Sequence, residues 1–553
     1  MTHGRGGNFM TRLSKLIFTI ITFLMLTAGT SFASFATTAN VTSAKIDPND
    51  PSKINVTATV SDFDPSNPPA VYLFSMKPYQ SDVSGRADYL SAQQASSSMT
   101  FTFDMQDGPA SNRLYDAFAL AVDGGSGSYQ LISNRCYITN PEVIAPDQSA
   151  PAIYGKKGLM IDPNLIDDAL KLNLKQASIS ITTAQLLGSG ITYSFEGQNY
   201  SFSAKNVSEL DNQISRLSNA GVAVTAILLN GFNGAQPDLY IPGTSVQTSD
   251  QALYYGFNVM TERGFNLVKA IASFLANRYS GYNGHGKITN WVIGNEINNQ
   301  YWNYIGNYDV GQYTLIYQRA FRTFYTAIKS VSAGDSVMFS LDLYWNMLPE
   351  TGVVGKYTGK SVLEAFSILD QMEGKTDWGL ALHPYPYPIW NPIFWDDYET
   401  GKVNNTDASP VVSMANISVI TNYMHRADLL TRAGTVRDIY LTEQGFNSNS
   451  RGQDATLDQA AAFAYAYYMV NCNPDIKGFL LSRQLDHTEE TKTGLAYGLQ
   501  SVDPANTNHL IERPIKDVFR NIDDPNLSMA STAFALPIIG ISSWDQVIPN
   551  FHY

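Results

Sequence analysis

The hydrophobic positions of this chain change their spacing near residue 150. Before that point apolar and polar residues alternate, as in segments 53–60 and 99–103, and Gly, Pro and Asn separate such segments. Alternation with a period of two is typical of a β-strand with one buried face. Several short strands at this spacing predict a small immunoglobulin-like β-sandwich over residues 37–145. Three prolines in 140–151 indicate a linker after it.

From residue 150 onward, short continuous apolar runs alternate with segments of helical spacing. Parallel strands that are buried on both faces give such continuous runs. Eight strands, each followed by a helix, predict a (β/α)8 barrel, an α/β TIM-barrel fold, over residues 150–525. The tail, 526–553, is expected to pack on the barrel or on the sandwich. The predicted strands are 155–161, 176–182, 222–229, 288–296, 336–342, 378–383, 438–443 and 477–483, and the predicted helices are 163–172, 207–220, 263–279, 312–331, 362–371, 417–432, 457–470 and 515–521.

The first 36 residues have the pattern of a secretory signal peptide. Arg5, Arg12 and Lys15 precede a nearly continuous apolar run over 16–28, and two small-x-Ala cleavage sites follow it. The alternative is an uncleaved membrane anchor. No other segment is long and apolar enough to cross a bilayer. The sequence therefore predicts a secreted or cell-surface protein with no integral membrane domain after cleavage.

The composition narrows the classes of partner. The formal net charge is −13, only 15% of residues are charged, and 12% are aromatic. An acidic chain of this kind argues against nucleic acid and against electrostatic binding to anionic membranes. Cys136 and Cys472 are too few for a disulfide framework, although one bridge between the two domains stays open. The chain has none of the Cys-x-x-Cys or His-Glu-x-x-His patterns of zinc sites, so neither a metal nor a cofactor is expected.

Two glutamates end apolar runs and carry the prediction of chemistry. Glu296 closes the predicted fourth strand and Glu443 closes the predicted seventh. In a parallel barrel both carboxylates would emerge at the same carboxyl-terminal rim. One protonated carboxyl facing one ionised carboxylate is what glycoside hydrolysis requires. The alternative is that the two glutamates cap helices or pair with arginines.

The dipeptides Asn295-Glu296 on strand four and Thr442-Glu443 on strand seven resemble the clan A retaining glycoside hydrolases. The chain as a whole also resembles a secreted bacterial family of that architecture whose activity is uncharacterised. The resemblance covers about residues 150–525. It implies that Glu296 is the general acid/base, that Glu443 is the nucleophile, and that Asn295 hydrogen-bonds the 2-hydroxyl of the sugar. A simple loop asparagine is the alternative for Asn295.

Three further positions follow from the same resemblance. His383 and Tyr385 close strand six, where clan members often carry a His or Tyr that orients the nucleophile. Arg483 follows strand eight, where many members have a tryptophan, and no arginine stands at the end of strand two. We expect Arg483 either to order Glu443 or to bind an acidic sugar. These departures affect the substrate, and they leave the carboxylate pair in place.

Aromatic residues cluster in the predicted loops after strands four, five and six. Sugar rings stack on aromatic side chains, so these residues are candidates for substrate contact, with loop packing as the alternative. We favour Trp345 and Trp390, and Asn230 after strand three is a weaker candidate. The cluster comprises Trp302, Tyr344, Trp345, Tyr387, Trp390 and Trp395.

The prediction from sequence is a secreted retaining hydrolase that cleaves β-linked oligo- or polysaccharides by double displacement. The alternative is a cell-surface barrel that binds carbohydrate without catalysis. A serine esterase would need a Gly-x-Ser-x-Gly elbow and a dehydrogenase a Gly-x-Gly-x-x-Gly turn, and the chain contains neither. Endo and exo action stay open.

Overall fold

The computed structural model describes residues 37–106, 108, 112–244, 252–350 and 355–553. The predicted signal peptide, 1–36, lies outside the described residues. Within these ranges, no helix combines the length and the apolar character that crossing a bilayer requires.

The N-terminal module consists of two antiparallel sheets. Its alternating segments bury one side of each strand, as Ile54 and Val56 do in the second strand. The three-stranded sheet runs in the order Thr38–Ile46, Lys53–Ser61 and Ser98–Asp104. The other sheet has the order Ser91–Gln94, Ala70–Met76, Ala117–Asp123 and Tyr129–Leu131, and Cys136–Tyr137 also pairs with Ala117–Asp123.

The second part of the chain is a closed barrel of eight parallel strands in sequence order. The predicted TIM barrel is therefore confirmed. Every residue of the third strand is buried, which explains its continuous apolar run. The strands, numbered 1 to 8 below, are Lys157–Met160, Gln176–Thr182, Ala223–Leu229, Asn290–Ile293, Ser336–Leu341, Gly379–Leu382, Ile439–Gln444 and Ile476–Leu481.

Four long helices on the outside of the barrel begin at polar N-caps. The side chains of Ser203, Thr261, Asp309 and Thr358 each accept a hydrogen bond from a backbone N–H of the first turn. The α-helices are Ile166–Leu170, Thr183–Leu186, Ala204–Asn219, Glu262–Arg278, Val310–Lys329, Gly359–Met372, Ser418–Tyr423, Thr456–Asn471, Thr488–Lys492, Pro514–Asn521, Ser528–Thr532 and Ala535–Ile539. Short 3-10 helices occupy Pro141–Ile144, Pro237–Leu239, Phe394–Thr400, Met414–Asn416 and Trp544–Gln546.

Two local predictions were wrong. The helix predicted over 417–432 ends at Tyr423. Beyond it the guanidinium of Arg437 donates to the backbone carbonyls of Leu429 and Leu430, so a side chain holds this segment instead of helical hydrogen bonds. The helix predicted over 163–172 is only Ile166–Leu170.

Three small antiparallel hairpins in the barrel part of the described chain were not predicted. The pairs are Gly190–Phe195 with Gln198–Ser203, Asn449–Ser450 with Gln453–Asp454, and Gln500–Asp503 with Asn506–Glu512.

The N-terminal module contacts the outer helices of the barrel. Arg319, in helix Val310–Lys329, donates to the carbonyl of Pro78 at 3.0 Å and pairs with Glu373 at 2.8 Å. Glu373 follows the carboxyl end of helix Gly359–Met372 and its carbonyl accepts from the N–H of Tyr137. Carboxyl ends of the outer helices lie at the end of the barrel opposite the carboxyl ends of the strands. This junction is therefore remote from the rim that carries Glu296 and Glu443.

The C-terminal tail packs on helix Thr456–Asn471, where the rings of Trp544 and Tyr468 lie 5.0 Å apart.

The two cysteines lie in different parts of the structure. Cys136 is buried in the N-terminal module and Cys472 lies near His552, and both thiols are free. The disulfide that the sequence left open is therefore not formed.

Candidate active site

Glu296 and Glu443 meet at the carboxyl-terminal mouth of the barrel. Glu296 lies three residues beyond strand 4, and Glu443 is the penultimate residue of strand 7. One carboxylate oxygen from each and one ring nitrogen of His383 all lie within 4.8 Å of one another. The fold thus brings together two carboxyl groups that are far apart in the sequence.

The backbone at Glu296 adopts a left-handed conformation with φ = 39°. Non-glycine residues take this conformation rarely, and it is often found at functional sites. Two contacts hold it in place. The N–H of Glu296 donates to the hydroxyl of Ser340 at 2.8 Å, and its carbonyl accepts from the N–H of Asn299 at 2.8 Å. The carboxylate is therefore mounted on a fixed turn between strands 4 and 5.

The carboxyl group of Glu296 forms a short hydrogen bond with a histidine. Nδ1 of His383 lies 2.8 Å from Oε1 of Glu296, and Nε2 of the same ring lies 3.1 Å from the hydroxyl of Thr442. Burial, aided by the negative charge of Glu443, raises the pKa of Glu296, although the hydrogen bond and charge of His383 oppose the rise. Burial lowers the pKa of His383, but the surrounding carboxylates outweigh it and the net pKa is raised.

Glu443 has a different partner. The hydroxyl of Tyr385 donates to Oε1 of Glu443 at 2.9 Å. Burial, followed by the charge of Glu443, raises the pKa of Tyr385 well above its usual value, so the phenol keeps its proton and remains a donor. The ring of Tyr497 supports that of Tyr385 at a centroid distance of 5.4 Å. This hydrogen bond fixes the orientation of the Glu443 carboxyl group.

Asn295 directly precedes Glu296 at the same rim. Its side chain is 8% exposed, and among the residues that the structure describes it has no hydrogen-bond partner. An amide in this position is free to bind a ligand hydroxyl. The sequence-predicted residues Asn295, Glu296, His383, Tyr385 and Glu443 thus lie at one mouth.

Arg483 reaches the site but pairs with a residue that the sequence did not single out. Its guanidinium donates to Oε1 of Glu490, in the short helix after strand 8. Burial lowers the pKa of Arg483, but the charges of Glu490 and Glu443 outweigh it and the net pKa is raised. Burial raises the pKa of Glu490, and the charge of Glu443 adds to the rise while Arg483 opposes it. Glu490 thus balances the charge of Arg483, while Nε of Arg483 is buried without a hydrogen-bond partner among the described residues.

Two more functional candidates were missed in the sequence. Asp342 follows strand 5 behind Glu296, and burial together with the charge of Glu296 raises its pKa well above the usual value. Its Oδ1 accepts from the amide of Asn298 at 2.6 Å. Tyr254 lies in the loop after strand 3. Burial raises the pKa of this tyrosine, and the negative charge of Glu443 adds to the rise. The position of Asp342 at a strand end was the available signal.

Two predicted substrate contacts, Trp345 and Asn230, are buried in the structure. Trp345 is only 2% exposed, because its ring packs edge-on against Tyr423 and its Nε1 donates to the carbonyl of Asp407. Asn230 is 1% exposed, and its amide nitrogen donates to the carbonyls of Leu239 and Gly256. Both side chains therefore hold loops in place, and Trp345 also lines a small cavity beside His383.

Trp390 differs from these two, because its side chain is 41% exposed in the loop after strand 6. Other aromatic residues of the predicted cluster contact neighbouring side chains. The ring of Trp302 lies 6.3 Å from that of Tyr254 in a tilted arrangement, and the hydroxyl of Tyr387 donates to Glu350 at 2.7 Å. Trp395 packs between Phe394 and Tyr465.

The ligand atoms of Glu296, His383 and Glu443 are close enough together for a divalent cation. The hydrogen bonds of the histidine weigh against this use. Both of its ring nitrogens are engaged, one with Glu296 and the other with Thr442. A metal would have to replace the contact that holds the acid/base candidate.

Fold and site together define a (β/α)8 barrel protein with a half-buried pair of carboxyl groups at its carboxyl-terminal mouth. A family model matches residues 149–547 of the chain. The protein belongs to this family, the family of unknown function DUF5722. Among curated proteins, none matches the chain.

Similar solved structures include two glycoside hydrolases. A family 39 glycoside hydrolase from the gut symbiont Bacteroides cellulosilyticus WH2 shares 14% identity, over 87% of this chain and 83% of that chain, with a TM-score of 0.42. The family 1 β-glucosidase from Thermotoga maritima, in complex with isofagomine lactam, shares 13% identity, over 65% of this chain and 85% of that chain, with a TM-score of 0.42. Likeness this distant carries no argument about the reaction of this chain.

Proposed function

We propose that this protein is a secreted retaining glycoside hydrolase of the clan A type, acting on β-linked glycans. The observation that carries the proposal is the pair Glu296 and Glu443, whose oxygens lie within 4.8 Å at the mouth of the barrel. Retaining enzymes keep their two carboxyl groups about 5–5.5 Å apart, whereas inverting enzymes need about 6.5–9.5 Å to admit a water. The observed separation favours the retaining mechanism.

In the first step, Glu296 acts as general acid. Its raised pKa keeps the carboxyl protonated at a pH where an ordinary glutamate is ionised. It donates this proton to the glycosidic oxygen as the carboxylate of Glu443 attacks the anomeric carbon. The bond to the leaving group breaks and a covalent glycosyl ester forms on Glu443. Tyr385 holds the attacking oxygen in place through its hydrogen bond.

In the second step, Glu296 acts as general base. It is now ionised and removes a proton from a water molecule, which attacks the same anomeric carbon. The ester to Glu443 breaks, and the sugar is released with its original configuration. Asn295 is positioned to bind a hydroxyl of the sugar through both steps, a contact that accelerates the reaction if it tightens in the transition state.

The proposal extends to location and to the first module. The basic and apolar segment at 1–36 supports secretion. The two antiparallel sheets of residues 37–145 are compatible with an immunoglobulin-like sandwich. We infer that this module supports the barrel, since Arg319 and Glu373 join the two parts of the chain.

A carbohydrate-binding barrel without catalysis is the second candidate. The amide of Asn295, which has no hydrogen-bond partner among the described residues, and the exposed ring of Trp390 are compatible with it. Binding alone, however, needs neither a proton held on Glu296 nor a tyrosine aimed at Glu443.

The deciding experiment is incubation with a 2-deoxy-2-fluoro glycosyl fluoride, followed by peptide mass mapping. We expect one sugar to be attached covalently at Glu443, and Glu443→Ala to lose activity on aryl β-glycosides by at least about 1,000-fold. Circular dichroism should show an unchanged fold. Full activity of Glu443→Ala, or inversion of configuration observed by proton NMR, would overturn the proposal.

A further inference from the structure

A groove of about 400 Å³ lies on the same end of the barrel as the carboxylates, between the loops after strands 6, 7 and 8. Its volume is at the lower end of the range of about 300–1,000 Å³ that small-molecule sites occupy. Its lining includes Ile389, Trp390, Asn449, Arg451, Thr493 and Leu495. Except for Trp390, none of these residues was among the site candidates.

A single buried asparagine joins the three loops that form this groove. The amide nitrogen of Asn447 donates to the carbonyls of Trp390 at 3.3 Å, Asn449 at 2.7 Å and Gly494 at 3.0 Å. Its amide oxygen accepts from the N–H of Ala496 at 2.8 Å. The side chain is completely buried. The groove is thus a constructed feature of the three loops, and Asn447 lies only four residues beyond Glu443.

The lining has the chemistry of a sugar site. Trp390 exposes 41% of its side chain, and Ile389 and Leu495 provide apolar walls. The guanidinium of Arg451 lies over the indole ring at 5.7 Å and forms no ion pair with any residue in the described ranges. A pyranose presents C–H faces that stack on an indole and hydroxyls that accept from a guanidinium. The arginine and the tryptophan therefore offer both interactions to one ring.

The groove is next to the carboxylates without touching them. The hydroxyl of Tyr497 donates to the carbonyl of Ile389 at 3.3 Å, and its ring packs against Tyr385, which in turn binds Glu443. Two tyrosine rings thus stand between the groove and the nucleophile candidate. A ligand in the groove cannot be the sugar that is attacked, and it can be a more distant part of the same chain.

We propose that the groove around Trp390 and Arg451 is a remote subsite that holds a pyranose unit of a glycan chain while another unit of that chain is cleaved at Glu443. This inference rests on the proposed function and specifies its substrate as an oligosaccharide or polysaccharide longer than a disaccharide. The subsite stabilises the bound chain and contributes nothing to a substrate with a single sugar.

The test compares long and short substrates in the full-length protein. Wild type is first screened against the 4-nitrophenyl β-monoglycosides of glucose, galactose, mannose and xylose, and the one that it cleaves fastest is the short probe. The long probe is the β-1,4-linked hexasaccharide of the same sugar. For Trp390→Ala we expect kcat/KM on the hexasaccharide to fall about three- to tenfold relative to kcat/KM on the monoglycoside, mainly through KM. Trp390→Phe should recover part of this loss. Tyr154→Ala removes an aromatic ring that is 74% exposed, just before strand 1 and so at the opposite end of the barrel, and should change neither value.

A binding measurement separates this inference from the proposed function. In the Glu443→Gln protein, calorimetry with the four hexasaccharides should show binding that Trp390→Ala weakens by a similar factor. If the wild type cleaves no probe but hexasaccharide binding depends on Trp390, the proposed function fails and the subsite stands. If Trp390→Ala weakens both substrates equally or neither, or if no hexasaccharide binds, the subsite is wrong.

Discussion

Nδ1 of His383 lies 2.8 Å from Oε1 of Glu296, so the histidine at the end of strand 6 contacts the acid/base candidate. The resemblance associated either His383 or Tyr385 with the nucleophile, and in the structure it is Tyr385, two residues later, whose hydroxyl binds Glu443. Each carboxylate therefore has its own partner from the same strand end. The histidine affects how readily Glu296 loses its proton, and the tyrosine affects how well Glu443 is aimed.

His383 should set the alkaline limb of the pH profile. Its hydrogen bond and charge lower the pKa of Glu296 and so oppose the rise that burial causes. With His383→Asn the positive charge is gone, the pKa of Glu296 rises, and Glu296 stays protonated to higher pH. We expect the alkaline limb of kcat/KM for an aryl glycoside to move to higher pH. Thr442→Val removes only the second contact of the ring and should leave the limb in place, so an equal shift in both variants would contradict this role.

Glu296→Ala should separate the two chemical steps. A substrate with a good leaving group, such as a 2,4-dinitrophenyl glycoside, needs little proton donation, so the first step should persist. The second step lacks its base and should become about 100- to 10,000-fold slower. Sodium azide, which needs no base, should restore turnover and yield a β-glycosyl azide detectable by NMR. Absence of azide rescue while the fold is retained would remove Glu296 from the acid/base role.

Tyr385→Phe should reduce activity by removing one hydrogen bond to a charged group. Such bonds contribute about 1.5–3 kcal/mol, so we expect kcat/KM to fall about 10- to 150-fold. Tyr497→Phe is the matched control, because its hydroxyl binds the carbonyl of Ile389 and not Glu443. On a monoglycoside the control should keep nearly full activity. A loss as large as that of Tyr385→Phe would indicate that general packing of the two rings is responsible.

The junction with the N-terminal module should make stability sensitive to acid. Burial raises the pKa of Glu373, but Arg319 and Arg135 outweigh it and the pKa lies below its ordinary value of 4.5. A carboxylate with a lowered pKa stabilises the fold above its unfolded pKa, and the contribution is lost as pH falls through the folded value. Glu373→Gln should lower the free energy of unfolding at pH 7 by about 3–5 kcal/mol, because it leaves two buried guanidinium groups unpaired.

Urea unfolding at several pH values measures this effect, and the difference between Glu373→Gln and wild type should shrink at low pH. The exposed pair Glu489–Lys492 provides the control. Glu489→Gln should change the free energy of unfolding by less than about 1 kcal/mol. A Glu373→Gln protein as stable as wild type at neutral pH would show that the junction contributes little.

The carboxylate pair could be predicted from sequence because strand order in a parallel barrel follows chain order. Once eight apolar runs were counted, the ends of the fourth and seventh runs had to lie on one rim. The number of strands was predicted from the hydrophobic periodicity, which identifies a strand even where its bounds are inexact. Strand 4, for example, was predicted over 288–296 and is observed as Asn290–Ile293. The distance between Glu296 and Glu443 could not be predicted, because it depends on the left-handed turn at Glu296.

Loop side chains were the least predictable part of the site. Trp345 and Trp390 both lie in loops after predicted strands, yet Trp345 is buried and bonds the carbonyl of Asp407, whereas Trp390 is exposed. Exposure is decided by which distant segment covers a ring, and no local pattern encodes it. Glu490 was missed for the same reason, because it matters to the site only through its ion pair with Arg483, which the local sequence does not reveal. Asp342 had the strand-end signal, but its partners Asn298 and Glu296 come from the neighbouring loop.

The four hydrogen bonds of Asn447 have an entropic consequence. Since one amide ties the loops after strands 6, 7 and 8 together, these loops have little freedom left to lose when a ligand arrives. Preorganisation of this kind raises affinity by reducing the ordering cost of association. It also means that the spacing between Trp390 and Leu495 is set before binding, so the groove should discriminate among chain conformations instead of adapting to each of them.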